Sequence, residues 1–284
     1  MADVHVLLDE WIANVTDDEL LTELKAMKEA GDENAITDAF FQDLEFGTAG
    51  LRGTLGAGTN RMNIYTVGRA TQGFAEYLVK NFENPTVAIA RDSRNNGELF
   101  VKTAAAIFAA NGVTAKLYPK ISPVPTLSWA VRDLACSGGV CVTASHNPAQ
   151  YNGYKAYGPD GCQIASEVAD AISAAIAGVD MWNGIKSMDF DEAVAAGKIE
   201  WIGDDCLERY YDAVVDKSVC NLTEEESASA PLKLVYTPLN GTGLIPVTTV
   251  LNKVGITDIT VVPEQKDPDG VFTTCPSPNP EIRQ

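Results

Sequence analysis

The 284-residue sequence predicts an α/β protein in which helices cover a layered sheet. Short apolar strands are expected at residues 86–90, 113–117 and 139–144, and helical stretches of ten or more residues separate them. Such alternation is typical of α/β domains. A second strand–helix–strand unit at residues 232–262 is followed by a loose, proline-rich tail from Pro263. Because one such unit cannot bury both faces of a sheet, we expect the second α/β domain to be incomplete.

The first 40 residues are predicted to form an acidic helical extension. Residues 16–19 (Thr-Asp-Asp-Glu) match a capping box, after which Leu20, Leu24 and Met27 recur on one helical face. Further helices are predicted within residues 67–77, 99–111, 127–134 and 198–219. The predicted organisation is an extension at residues 1–40, a first domain at 41–220, a linker at 221–231 and a truncated second domain at 232–284.

Charge is distributed unevenly along the chain, whose formal net charge is -18. Residues 1–45 carry 13 acidic and 2 basic side chains, whereas residues 46–160 carry 11 basic and 6 acidic ones. Because so acidic a protein repels polyanions, we expect no nucleic-acid and no membrane partner, although the basic middle segment suits a small anion. The sequence shows neither a secretory signal nor an unbroken apolar span, so cytoplasmic localisation is expected.

The strongest chemical signal is the serine loop, residues 143–148 (Thr-Ala-Ser-His-Asn-Pro), which directly follows the apolar strand residues 140–142. Open α/β sheets bind ligands at the carboxyl ends of their strands, so Ser145 is a candidate nucleophile. A turn stabilised by its own side-chain hydrogen bonds is the alternative. A serine hydrolase fits poorly, because His146 is adjacent to the serine, His5 lies in the extension, and the Gly-x-Ser-x-Gly elbow is missing.

Three further loops carry polar or basic groups. Residues 46–53 (Phe-Gly-Thr-Ala-Gly-Leu-Arg-Gly) combine glycines, which let backbone N–H groups approach an anion, with the guanidinium of Arg52. A second loop places Arg91 and Arg94 on either side of a carboxylate, a pattern that favours a salt-bridged support for a neighbouring loop. Lys155 follows the serine loop and can stabilise a phosphoryl group as a cation. Together the four loops indicate an anion site organised around a serine.

These motifs resemble the α-D-phosphohexomutase family, which includes phosphoglucomutases and phosphomannomutases. The serine loop with residues 152–155 (Asn-Gly-Tyr-Lys) is similar to the family's phosphoserine loop, and residues 46–53 resemble its N-terminal active-site segment. Residues 235–243 resemble the start of its second domain, although histidine is more usual where Asn240 stands. The helical extension and the sequence after the serine loop are most similar to the phosphoglucomutase/phosphopentomutase branch.

The resemblance implies a three-layer α/β/α sandwich for the first domain and an isomerase that acts as an intramolecular phosphotransferase. Such enzymes move phosphate between the 1- and 6-positions, or the 1- and 5-positions, of a sugar through a bisphosphorylated intermediate. The resemblance implies that Ser145 carries the phosphoryl group, with Arg52 and Lys155 beside it. The residues implied to support the phosphate and its loop are His146, Asn147, Arg91 and Arg94.

The resemblance also implies Mg²⁺, a sugar bisphosphate activator and a sugar phosphate substrate. The phosphate on Ser145 would be one metal ligand, but the family's Asp-x-Asp-x-Asp loop is absent, since Asp-Pro-Asp at residues 267–269 is too short. The loops that bind the sugar and its phosphate in the family's third and fourth domains are missing as well. We therefore expect an N-terminal fragment with little or no mutase activity, whose partners are the remaining C-terminal domains of the same protein.

Two other interpretations stay open from the sequence. A non-catalytic paralogue of the same fold would bind phosphosugars or a protein partner, and phosphate on Ser145 of the full-length protein distinguishes a mutase from it. A generic α/β domain would carry these loops on different faces of the sheet. The sugar is read by loops that this sequence lacks, so its motifs do not separate glucose, mannose, ribose and glucosamine phosphates.

Overall fold

A six-stranded and a two-stranded sheet form the framework of the computed structural model, which describes residues 3–48, 50–217, 223, 225–226, 232–279 and 281. The predicted linker at 221–231 lies almost entirely outside these residues. The elements up to residue 216 are α1 (Val4–Asn14), α2 (Asp18–Ala30), α3 (Glu33–Phe40), β1 (Gly50–Thr54), α4 (Ile64–Asn81), β2 (Thr86–Arg91), α5 (Gly97–Ala110), β3 (Thr114–Leu117), α6 (Val124–Asp133), β4 (Gly138–Val142), β5 (Tyr151–Tyr157), α7 (Ser166–Ala177), α8 (Phe190–Ala195), β6 (Ile199–Trp201) and α9 (Asp204–Asp216). They are followed by β7 (Lys233–Tyr236), α10 (Leu244–Lys253), β8 (Asp258–Val261) and a 3-10 turn, Pro263–Gln265.

The larger sheet is mixed and has the strand order β1-β5-β4-β2-β3-β6. Strands β4, β2, β3 and β6 are parallel, whereas β5 runs antiparallel to both β4 and β1. Because β4 and β5 are antiparallel neighbours, the serine loop that joins them lies at the carboxyl end of β4. Strand β6 falls inside the stretch predicted to be helical, and its parallel pairing with β3 overrides the local pattern there.

Apolar side chains fill both faces of this sheet, which gives a three-layer sandwich. Successive residues of a strand point to opposite faces. Accordingly, Ile89 and Val140 belong to the cluster under α4, α5 and α7, whereas Ala88 and Cys141 belong to the cluster under α6 and α9. The expected α/β/α layering of the first domain is therefore confirmed.

The second sheet consists of the parallel pair β7 and β8, joined by the crossover helix α10. No residue of these three elements is buried in the part of the chain that the structure describes, and Val235 is 71% exposed. One βαβ unit thus covers little of its own apolar surface, as the sequence predicts. The tail from Pro263 is not loose, however, because its backbone and side chains bond to Asn240 in the turn after β7.

The helical extension has its own apolar cluster, centred on Trp11, which is 1% exposed. The Trp11 ring makes edge-to-face contacts with Phe40, Tyr65 and Trp182, at centroid distances of 5.8, 5.6 and 5.3 Å. The indole Nε1 of Trp182 also donates to Glu10 Oε1 at 2.7 Å, which ties the extension to the first domain. Among the helices described, none combines the length and hydropathy needed to span a bilayer.

Replacing Trp11 tests whether this cluster anchors the extension. Trp11→Ala removes a fully packed indole and leaves a cavity, so we expect the free energy of unfolding to fall by about 3–5 kcal/mol. Val6→Ala, at an exposed position of the same helix, serves as the control and should change it by less than about 0.5 kcal/mol. Urea unfolding followed by circular dichroism measures both; equal effects would show that the cluster is not an anchor.

Candidate active site

Ser145 occupies an exposed turn beyond β4 and has a left-handed backbone conformation, with a φ of 56°. Residues other than glycine adopt this region rarely, and such strained positions concentrate at functional sites. Ser145 and His146 line a cavity of about 340 Å³, together with Asp92 and Thr143. The serine hydroxyl therefore lies beside a volume that a small molecule can enter.

The conformation of the serine is fixed by hydrogen bonds that link the ends of β2 and β4. Thr143 Oγ1 accepts the N–H of Ser145 at 3.0 Å and donates to Asp92 Oδ2 at 2.5 Å. Burial raises the pKa of the Asp92 carboxyl, while the hydrogen bond from Thr143 and the charge of Arg94 oppose that rise. The loops after two adjacent parallel strands are thereby joined through side chains.

A buried guanidinium holds the rest of the serine loop. The side chain of Arg94 is 0% exposed, and its Nε lies 3.3 Å from Asp92 Oδ2. Burial lowers the pKa of Arg94 and the charge of Asp92 raises it, but an arginine keeps its proton in proteins. The guanidinium donates to four carbonyl oxygens, those of Ser145 (2.8 Å), Asn147 (2.6 Å), Pro148 (3.0 Å) and Tyr151 (3.0 Å).

Strands β1 and β5 bring the two predicted cations to the same side of the sheet. Arg52 pairs with Gly153, two residues from Lys155, and Lys155 pairs with Cys141 on β4. Directly paired residues share a face, and Cys141 lines the same cavity as Ser145. Burial and the charge of Asp92 raise the pKa of the Cys141 thiol, and the charge of Lys155 opposes that rise.

The close approach of these strands requires glycine at position 153. A Cβ atom there would lie 2.5 Å from the carbonyl oxygen of Thr143 and 2.9 Å from that of Leu51. Such distances are far inside van der Waals contact, so any side chain would push β1 or the serine loop away. The glycine of the Asn-Gly-Tyr-Lys motif therefore sets the spacing between the serine and the strand that carries Arg52.

The remaining predicted site residues lie in different surroundings. His146 is exposed at the cavity, and Asn147 contributes its carbonyl oxygen to the bond with Arg94. The guanidinium of Arg91, in contrast, pairs with Glu98 on α5 at 3.1 Å, and no bond from it to the serine loop is found within the described residues. Among those residues the side chains of Ser145, Arg52 and Lys155 also share no hydrogen bond, so the roles assigned to all these groups stay predictions.

Several residues of this site were not anticipated from the sequence. Asp92 and Thr143 belong to two of the polar loops that the sequence shows, but their mutual bond spans 51 positions and has no local signal. The second βαβ unit contributes the turn at residues 238–243, and Phe272 of the tail lines the cavity as well. A single phenylalanine in a proline-rich segment without periodicity gives no sequence signal that its ring lines the cavity at Ser145.

The metal ion implied by the resemblance does not find a ligand set here. Within the part of the chain that the structure describes, no group of three or more His, Cys, Asp or Glu side chains converges. The carboxylate at the serine cavity, Asp92, is already bound by Thr143 and Arg94. Because Mg²⁺ requires an octahedral set of oxygen ligands, the described residues do not fit it on their own.

Fold and site together define an α/β/α sandwich that presents an exposed serine at the carboxyl end of its sheet. The family models for phosphoglucomutase/phosphomannomutase α/β/α domains I and II match residues 43–181 and 208–284, respectively. The chain therefore belongs to the phosphoglucomutase/phosphomannomutase family, which confirms the resemblance seen in the motifs. The helical extension precedes the part matched by domain I.

Individual relatives agree with this assignment. The chain is 33% identical to a phosphoglucomutase from Staphylococcus saprophyticus over 95% of its own length and 47% of the relative. It is 34% identical to a phosphoribomutase from Saccharomyces cerevisiae over 95% and 45%, respectively. The fold is similar to that of a phosphoglucomutase/phosphomannomutase family protein from Burkholderia thailandensis, with a TM-score of 0.59 and 22% identity over 80% of this chain and 45% of that one. The chain thus spans about half the length of the relatives it matches.

Substitution of Arg94 tests whether it organises the loop. Arg94→Met breaks a buried ion pair and leaves four carbonyl groups without their donor, so we expect a loss of about 3–5 kcal/mol in the free energy of unfolding. Arg94→Lys keeps the positive charge but not the several donors of the planar guanidinium, so we expect a smaller loss in the free energy of unfolding than for Arg94→Met. Arg91→Met, which removes an exposed ion pair, is the control and should cost about 1 kcal/mol or less. Equal losses for Arg94→Met and Arg91→Met in chemical unfolding would contradict the assignment.

Proposed function

We propose that this chain carries the phosphoserine half of a phosphosugar mutase, which moves phosphate between the 1- and 6-positions, or the 1- and 5-positions, of a sugar. The main support is the exposed Ser145 at the cavity, on a loop whose carbonyl oxygens converge on Arg94. Because these acceptors are turned toward a buried cation, they do not repel an anion at the serine. Membership of the phosphoglucomutase/phosphomannomutase family supports the same reaction class.

In the proposed reaction, Ser145 Oγ attacks the phosphorus of a sugar bisphosphate. The Oγ–P bond forms, the bond from phosphorus to the sugar oxygen breaks, and the serine proton is balanced by the proton that the released sugar hydroxyl takes up. In the return step a sugar hydroxyl attacks the phosphoserine, and the serine oxygen regains a proton. Such transfers depend on positioning and on neutralising the phosphoryl charge, which is the role proposed for Arg52 and Lys155.

The substrate class follows from the relatives' names, which include phosphoglucomutase, phosphoribomutase and phosphopentomutase. An aldose phosphate, either a hexose or a pentose, is therefore the proposed substrate of the whole protein, with the matching bisphosphate as activator. We expect the chain alone to have little or no mutase turnover, and cytoplasmic localisation stays a prediction.

The generic-domain interpretation expects the polar loops to lie on different faces of the sheet. The loops after β2 and β4 instead line one cavity, which favours the mutase proposal.

Phosphorylation of the serine can be measured directly. When the whole protein, of which this chain matches about half of the relatives' length, is incubated with glucose 1,6-bisphosphate or ribose 1,5-bisphosphate, intact-mass analysis should show one phosphoryl group per molecule, and peptide mapping should place it on Ser145. Ser145→Ala should abolish the label, whereas Ser187→Ala, which removes another exposed serine, should not. Binding of the sugar phosphate without any label would instead indicate a non-catalytic paralogue.

Removal of the lysine cation tests the proposed charge neutralisation. Lys155→Met should lower the rate of Ser145 phosphorylation by about 100-fold, the usual cost of losing one electrostatic stabiliser of a transition state. Lys102→Met, at an exposed position where the lysine pairs with Glu98, is the charge-matched control and should leave the rate unchanged. Equal rates in wild type and Lys155→Met, from single-turnover labelling, would exclude this role for the lysine.

A further inference from the structure

Phe272 of the tail packs on the guanidinium that holds the serine loop. Its ring centroid lies 5.1 Å from Cζ of Arg94, within the range of a cation–π contact. Phe272 is 5% exposed although it does not itself belong to a helix or strand. Its side chain also lines the cavity at Ser145. The same ring therefore covers Arg94 and forms part of the wall that faces the serine.

The local backbone is built to place this ring. Phe272 has a φ of 52°, and Asp269 fixes the turn by accepting the N–H groups of Val271 at 3.0 Å and Thr273 at 2.8 Å. Gly270 lies directly against the loop after β2, since a Cβ atom there would be 2.3 Å from Asn95 Oδ1. The tail thus docks on the first domain without room for a side chain between them.

The other end of the tail is attached to the second βαβ unit through Asn240. Its backbone N–H donates to the carbonyl oxygen of Gln265 at 2.9 Å, and its Nδ2 donates to that of Asp267 at 3.0 Å. Its Oδ1 accepts Thr274 Oγ1 at 2.8 Å. Asn240 is itself buried in the turn after β7, so a displacement of that turn moves the tail, and Phe272 with it.

We propose that Phe272 is a positioning residue that couples the second βαβ unit to the serine loop through Arg94. The ring keeps water from the guanidinium, and hydrogen bonds from a charged group are stronger when water is excluded. With Phe272 seated, Arg94 holds the four loop carbonyls firmly. With Phe272 withdrawn, water competes for the guanidinium and the loop loosens. The effect of this coupling on phosphoryl transfer rests on the proposed function, whereas the coupling itself does not.

Hydrogen exchange of the chain, read at single residues by NMR, tests the coupling without any substrate. The probes are the amides that donate within the serine loop and its end, those of Ser145, Asn147 and Tyr151. In Phe272→Ala we expect these amides to exchange about 30-fold faster, the factor that matches loss of a desolvated cation–π contact, while β3 amides keep their rates. Phe272→Leu keeps an apolar cover and should give a smaller increase. Val271→Ala, at the exposed neighbouring position, should change nothing.

The outcomes separate coupling, folding and function. If Phe272→Ala accelerates exchange of the β3 amides as strongly as that of the serine-loop amides, the variant destabilises the whole fold, and Phe272→Leu then decides. Faster exchange of the serine-loop amides alone in Phe272→Leu supports the proposal. Unchanged exchange of those amides in Phe272→Leu overturns it. Labelling of Ser145 by glucose 1,6-bisphosphate is measured in parallel. Loop loosening without any label on the wild-type whole protein would refute the proposed function and leave the coupling intact. A labelled wild type whose rate is matched by Phe272→Ala would overturn the positioning role.

Discussion

The geometry of the candidate site depends on one interaction, the convergence of four main-chain carbonyl oxygens on the buried guanidinium of Arg94. Leaving so many acceptors unpaired near a sheet would be costly, and a neutral donor could satisfy only one or two of them. Arginine provides several donors in a rigid fork, and Asp92 balances its charge. The loop therefore has one well-defined conformation, in which Ser145 takes a left-handed backbone that the polypeptide would otherwise avoid.

The mixed sheet explains why this interaction can form. Strands β2 and β4 are parallel neighbours, so Asp92 and Thr143 leave the sheet at the same edge. Strand β5 then returns antiparallel and carries Lys155 past the cavity wall, and Gly153 allows the return to pass closely enough. Sheet topology, rather than the chemistry of any single motif, thus determines which polar groups become neighbours. The three α/β/α layers supply the burial that makes those neighbours electrostatically strong.

Much of this arrangement could be read from the sequence. Strand and helix periodicity predicted the α/β class, and the serine loop was placed correctly after an apolar strand. The sequence predicts that the arginines around a carboxylate support a neighbouring loop; in the structure Arg94 bonds to carbonyl oxygens of the serine loop, while Arg91 pairs with Glu98 on α5. The strand order, the bond between Asp92 and Thr143 and the seat of Phe272 could not be predicted, because each depends on residues far apart in sequence. Local patterns report which face a residue occupies, but not which distant residue it meets.

The link between the helical extension and Trp182 has a consequence for biosynthesis. Glu10 and the Trp182 indole are 172 positions apart, so α1 gains its contacts with Trp182 only after the chain has been made as far as that residue, although most of its apolar cluster lies within residues 4–65. Domains fold as units during translation, and apolar surface exposed in the interim invites aggregation. The strongly acidic character of the first 45 residues counters that hazard, since like charges on nascent chains keep neighbouring polypeptides on a polysome apart.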